Sequence, residues 1–190
     1  MARNESRSQT DSAPPFSVFQ RRFRNLLRAG CERKDLAIVS SIIYRQIHPS
    51  ETAAVSSLAC EVFDKFVAPY YQTEGVVEFH RYASVEALSQ RHESGHITLV
   101  AEQSGELVGM LHLRKPSHVS MLFVQSSRQR SGIGRGLLAA ADALAGDMDR
   151  EFTVSSSPNA LSAYERLGFR ITGLEQCVHG IRFVPMRRAR

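Results

Sequence analysis

The stretch LFVQSSRQRSGIGRGLLAAADALAG, Leu122 to Gly146, limits the folds open to this chain more than any other. It opens as an apolar strand ending at Val124 and closes as an amphipathic helix with Ile133, Leu137, Leu138, Ala141, Leu144 and Ala145 on one face. Between the two lie Gly132, Gly134 and Gly136, interleaved with Arg128, Arg130 and Arg135. A helix with one apolar face, entered directly from a strand, must pack on the sheet that holds the strand. The turn leaves backbone N–H groups unpaired at the positive end of the helix dipole. Glycines let a phosphate oxygen approach those amides without meeting a Cβ, and arginines add charge. The loop predicts a pyrophosphate cradle, with simple tight-turn punctuation as the alternative.

The flanking sequence supplies the rest of the sheet. SIIYRQI reads as a strand, and HPSETAAVSSLACEVFDKFVAPYY as a helix with Ser50 as N-cap and Pro69 as terminator. Val55, Leu58, Ala59, Val62, Phe63 and Phe66 form its apolar stripe. A second helical region, in one or two pieces, runs from Glu74 to about Glu93. HITLVAEQ, LVGMLHLRK and HVSMLFV follow as an antiparallel meander. After the glycine-rich helix come the strand EFTVSSS and the helix PNALSAYERLGF, with Ser157 as cap, Pro158 at its first position and Gly168 as stop. RIT and IRFVPMR complete the set. The order predicts an α+β (α/β three-layer) domain around one mixed, largely antiparallel sheet flanked by helices.

The formal charge of +5 suggests nucleic acid until it is located. Residues 1–34 hold eight basic and three acidic side chains, a net of +5, and residues 35–190 hold sixteen of each. The excess cation therefore belongs to an N-terminal extension, taken as 1–36, and the remaining 37–190 form one domain; the balanced domain argues against a nucleic-acid partner. Met1 to Pro15 reads as disordered. Phe16, Phe19, Phe23, Leu26 and Leu27 recur at helical spacing among Arg21, Arg22, Arg24 and Arg28, with Gly30 as a stop. A helix docked on the domain, an upstream tail, and an anchor for anionic lipid, nucleic acid or a partner all remain open for this segment.

No run approaches the roughly 18 apolar residues of a membrane span. Cys31, Cys60 and Cys177 are odd in number and form no CxxC pair, which points to a reducing, cytoplasmic setting. The seven histidines show no ligand-like spacing, so no metal is expected. A Walker loop would need Gly-Lys-Ser/Thr where Arg135 and Gly136 stand. A Rossmann fingerprint belongs at the first βα turn, not after an antiparallel meander.

QRSGIG, Gln129 to Gly134, resembles the Q/R-x-x-G-x-G/A signature of the GCN5-related N-acetyltransferase (GNAT) family. The LFV strand before it, the SPNALSAYERLGF segment and the element order match as well, over about residues 40–187. The resemblance implies the acyl-CoA N-acyltransferase-like fold and acetyl-CoA as cosubstrate. It makes Leu122, Phe123 and Val124 the splayed strand that pairs with the pantetheine arm. The backbone of Gln129, Arg130, Ser131, Gly132, Ile133, Gly134 and Arg135 becomes the pyrophosphate loop, and Asn159 a further cofactor contact. Tyr164 matches the tyrosine that protonates the departing thiolate in many members; a phenol, with an ordinary pKa of about 10, arrives protonated. His118 falls where the histone and arylalkylamine branches place a general-base Glu or His, and imidazole titrates near neutrality.

His112, Glu74 and Glu78 are secondary candidates for the base. Tyr70, Tyr71 and Phe79 either shape the acceptor side or simply pack. The expected activity is direct acetyl transfer to a primary amine in a ternary complex, with an acyl-CoA-binding regulatory module of little turnover as the alternative. A third reading makes the basic arm a nucleic-acid tether. The acceptor, small molecule or protein amine, is not named by the sequence, and a homodimer stays open.

Overall fold

Near-continuous apolar runs in the meander, buried at successive positions of β2 and β3, give these strands two inward-looking faces, so the sheet is covered on both sides. The structure, a computed structural model, describes residues 41–114, 117–144 and 151–189. The 1–36 extension with its amphipathic stretch, and Ala145 of the glycine-rich helix, lie outside the described residues.

In chain order the elements are β1 (Ile43–Gln46), α1 (Thr52–Phe66), α2 (Thr73–Ala83), α3 (Val85–Glu93), β2 (Ile97–Gln103), β3 (Glu106–Arg114) and β4 (His118–Val124). Then follow α4 (Ile133–Leu144), β5 (Glu151–Ser156), α5 (Leu161–Arg166), β6 (Arg170–Ile171), β7 (Gln176–Val178) and β8 (Ile181–Ala189). The sheet order is β1-β2-β3-β4-β5-β8-β6, with β7 paired to β8. Every pairing is antiparallel except β4 with β5. This is the mixed, largely antiparallel sheet flanked by helices that the pattern predicts.

Each face has its own core. On one, Leu111, Val119, Leu137, Leu138, Phe152, Val154 and Met186 are buried together, so α4 lies against the sheet. On the other, Val55, Phe63, Phe79, Val100, Met110 and Met121 join the sheet to α1 and α2. Phe63 and Phe79 stack at 3.7 Å with their rings 7° apart. Burial of a Leu or Phe side chain contributes about 1.5–3 kcal/mol, so the apolar stripes of α1 and α4 fix where both helices sit.

The structure corrects several local expectations. Ser50 does not cap α1: it lies within a 3-10 turn, Pro49–Glu51, whose own cap is His48, and α1 begins at Thr52. The Glu74–Glu93 region, expected in one or two pieces, is two helices, divided at Ser84, whose side chain accepts from the Ala87 amide at 3.2 Å and starts α3. Ser157 makes no side-chain cap; Pro158–Ala160 forms a 3-10 turn, and the α-helix starts only at Leu161. Leu144, expected on the apolar face of α4, is 37% exposed. Gly168, at φ +91°, does stop α5.

Candidate active site

The site is organised by what β4 does along its length. Among the described residues it pairs with β5 only at His118↔Thr153 and Val119↔Val154, and no described strand pairs with it on that side beyond Val119. On its other side, Leu113 faces Val119 while His112 faces Met121, which leaves Ser120 as an extra residue. This β-bulge changes the parity of the strand. Val119 and Leu122, three residues apart, therefore pack in the same core, while Met121 and Phe123 pack in the opposite one. A regular strand cannot do this. Past the bulge, the backbone of Leu122, Phe123 and Val124 keeps its β3 ladder and presents its β5-side polar groups to an open wedge.

The glycine-rich loop sits at the mouth of that wedge. A 3-10 turn, Ser126–Arg128, leaves the strand; Arg130 and Gly132 then take positive φ values of +63° and +89°. The Gln129 side chain donates Nε2–H to the Val124 carbonyl at 3.2 Å, and Ser131 Oγ donates to the Arg128 carbonyl at 2.5 Å. These bonds brace the loop by its side chains. Its amides from Gln129 to Arg135 donate to no acceptor among the described residues, and the first helical bond runs from Gly136 N–H to the Gly132 carbonyl at 3.0 Å. The side chains of Arg128, Arg130 and Arg135 are exposed around them. Unpaired amides, a helix start and nearby guanidinium groups together suit an anion.

The three glycines do not share one role. A Cβ on Gly132 would meet nothing within 4 Å, so this residue is glycine for its backbone conformation and open approach. A Cβ on Gly136 would lie 2.1 Å from Cζ of Tyr44, so that glycine is a socket for a β1 side chain. Ile133 is 1% exposed with its side chain in the core, leaving only its amide for the loop.

Tyr164 lies on α5, half-buried, packed with the core that holds Leu122 and Val124 and edge-on to Phe169 at 5.4 Å. Its hydroxyl has no hydrogen-bond partner among the described residues. Burial pushes its pKa above the usual phenol value, so it stays protonated at neutral pH. Asn159 Nδ2 donates to the Phe66 carbonyl at 2.5 Å, tying the turn before α5 to the end of α1 and leaving Oδ1 for another donor.

His118 stands at the opposite end of β4 from the loop, with Nδ1 at 2.9 Å from Thr153 Oγ1. Burial first, and Arg114 second, pull its pKa below the usual histidine value, so it is neutral near pH 7. His112 is fully buried, between Thr98 Oγ1 at 2.9 Å and His96 Nδ1 at 3.2 Å. Desolvation, then Arg91, His96 and His92, take it to about 3, too weak a base for work near neutrality.

The other acceptor-side residues separate as well. Glu78 is held low by its bonds to Arg81, and Phe79 is core. Glu74 is exposed where the β7–β8 turn crosses the start of α2. Tyr71 donates its hydroxyl to the Arg182 carbonyl at 2.5 Å, which clips β8 to the start of α2, and Tyr70 remains 62% exposed. Sequence reasoning missed the bulge at Ser120 and the clip from Tyr71 to β8. Nothing in HVSMLFV marks an irregular position; only the mismatch between Val119 and Leu122 in a period-two strand hints at it.

A sheet split between two parallel strands, with a loop of free amides at the opening, defines the acyl-CoA N-acyltransferase-like fold. Residues 67–190 match the model of the acetyltransferase (GNAT) domain, and the chain belongs to that family. Among solved structures it is similar to a GCN5-related N-acetyltransferase from Rhodopseudomonas palustris, at 22% identity and TM-score 0.69, over 82% of this chain and 99% of that one. It is also similar to the PaiA N-acetyltransferase from Thermoplasma acidophilum in complex with coenzyme A, at 20% identity and TM-score 0.64, over 79% and 99%. A ribosomal-protein-alanine N-acetyltransferase from Brucella melitensis matches at 20% identity and TM-score 0.55, over 77% and 99%. These likenesses show the fold. No curated protein matches the chain in sequence. Among the described residues no helix is long and apolar enough to cross a membrane.

Proposed function

We propose that this protein moves acetyl from acetyl-CoA to a primary amine by direct attack in a ternary complex, as a cytoplasmic enzyme whose domain, 37–190, carries the whole site. The observation that supports it best is the coincidence of the β4–β5 wedge with the free amides of Gln129 to Arg135. The wedge offers strand-edge backbone to an amide-containing arm, and the loop offers donors and charge to a pyrophosphate. Acetyl-CoA supplies the acetyl group as an activated thioester.

The residues then divide the work. Leu122, Phe123 and Val124 hold the arm, the loop holds the phosphates, and Asn159 adds its free Oδ1. His118, neutral at pH 7, takes the proton that the amine loses as its nitrogen bonds to the acetyl carbon. Tyr164 gives its proton to the sulfur as the C–S bond breaks. Cys60 and Cys177 have no part, so no acyl-enzyme forms.

The test is incubation with acetyl-CoA and a broad panel of amines and peptides, read by mass spectrometry. An acetylated amine that depends on the protein is the expected result. Tight coenzyme A binding with no acetyl transferred to any member would instead support the acyl-CoA-binding module.

A further inference from the structure

One row of side chains crosses the sheet at the end of β4 away from the glycine loop. The registers place Arg114 of β3 opposite His118, His118 opposite Thr153 of β5, Thr153 opposite Arg187 of β8, and Arg187 opposite Arg170 of β6. Directly paired residues point to the same face of a sheet, so these five side chains share one face. It is the face away from α4, since Phe152, Val154 and Met186, their neighbours in the strands, are buried against that helix. Helices cover this face over β3 and β4, but Thr153, Arg170 and Arg187 are exposed. With Ile171 and Thr172 they line an open hollow of about 580 Å³.

The charge in this row is unbalanced. Three arginines lie along it, and the one carboxylate that contacts it among the described residues is Glu151, 3.6 Å from Arg187. Both partners are well exposed, so that pair is weak and leaves most of the guanidinium fork free. Arg114 and Arg170 form no ion pair among the described residues. A guanidinium presents paired donors matched to carboxylate or phosphate.

We infer that the row Arg187–Arg170 binds an anionic group carried by the acceptor itself, so that the preferred acceptor is a primary amine whose carboxylate or phosphate lies several bonds away, at the far end of a short chain. This rests on the transferase reading and deepens it. The span follows from sheet geometry: Arg187 lies two strands from His118, about 10 Å at about 4.8 Å per strand, and arginine side chains reach back across part of it. A compact amino acid reacting through a side-chain amine fits that span, whereas a bare diamine leaves the row unused. Bound there, the anion places its amine toward His118, at the apex of the wedge.

Matched pairs that differ only by the carboxylate test this directly: lysine against 1,5-diaminopentane, ornithine against 1,4-diaminobutane. The expected result is a kcat/KM at least about 10-fold higher for the amino acids, from one extra charge-assisted contact. In Arg170→Gln/Arg187→Gln the ratio should fall to near one through KM, with coenzyme A affinity and melting temperature as in the unmodified protein. Equal rates within each pair, or a preference that survives in the double variant, would overturn the inference.

A second readout needs no turnover. Titration of His118 by NMR, with and without inorganic phosphate or glutarate, should show its pKa rising when the anion binds, and not in the double variant. No rise in the unmodified protein also overturns the row. A rise with glutarate and no acetylation of any amine would keep the row and overturn the transferase reading. A rise with phosphate alone, and no preference within the matched pairs, would mark an adventitious anion site and reject the proposal.

Discussion

At Val124 β4 ends in backbone: free amides, a positive-φ glycine, and strand edge facing a wedge. At His118, where the same strand begins, it presents side chains in register with four other strands. The first end can hold a ligand common to a whole family, because backbone amides survive almost any change of sequence. The second can distinguish one acceptor from another, because each position in the row is a free choice of side chain. On the proposed reading, a cosubstrate site built from main chain and an acceptor site built from side chains would let one fold serve many amines.

Tyr164 packs in the core that holds Leu122 and Val124, and its substitution should have the largest effect. Tyr164→Phe removes an oxygen with no hydrogen-bond partner among the described residues and keeps the ring against Phe169. Turnover at saturating acetyl-CoA should fall about 10²–10⁴-fold, or roughly 3–5 kcal/mol of barrier. Cofactor affinity and melting temperature should hardly move. Wild-type turnover in the Phe variant would remove the hydroxyl from the chemistry.

Next come the glycines at the backbone end. Gly132→Asp puts a negative charge among the loop amides and should weaken acetyl-CoA binding by about 100-fold or more, near 3 kcal/mol. Gly132→Ala pays the same positive-φ strain without the charge, and separates the two causes. Gly136→Ala should do the reverse. Its Cβ meets the Tyr44 ring at 2.1 Å, so it should cost about 1–3 kcal/mol of stability while leaving the affinity of whatever folds unchanged. Calorimetry beside thermal melting reads both; an affinity loss at Gly136 equal to that at Gly132 would erase the distinction.

At the side-chain end, His118→Gln should lower kcat/KM about 100-fold, the low end of what a positioned base contributes. The pH profile carries the sign. In the proposed mechanism the neutral imidazole is the active form, and burial with Arg114 holds its pKa below the ordinary histidine value of 6.5. The rate should therefore be flat through neutrality and fall only as pH drops below about 6.5; the Gln variant should lack that acid limb. An acid limb that persists in the variant would assign the base elsewhere.

Smallest of all should be the effect of deleting residues 1–34. All the matched motifs lie downstream, and the charges of residues 35–190 balance. A truncated protein that stays folded yet loses turnover would bring the extension into the site.

The backbone end was legible from the sequence because its signals are local. Glycines at a strand-to-helix turn, an apolar face on α4, and a stop at Gly168 each act within a few residues. The same locality misled at Ser50 and Ser157: a serine before a helix is a good cap, yet a neighbouring proline, Pro49 before the first and Pro158 after the second, opens a 3-10 turn instead. His118 was legible as a candidate by its position, but not the company it keeps. Arg114, Thr153, Arg187 and Arg170 are scattered over the chain, and no periodicity within any one segment joins them.

By itself, then, the sequence determined the elements, their order and the glycine-rich turn into α4, since each depends on propensity and period over one or two helical turns. Only the tertiary structure decided the bulge at Ser120, the parting of β4 from β5 after Val119, the socket for Tyr44 at Gly136, and the cationic row. Those depend on register between strands distant in sequence. Register is chosen by which faces are buried when the whole sheet packs between its two cores, and that choice is made by all the strands at once.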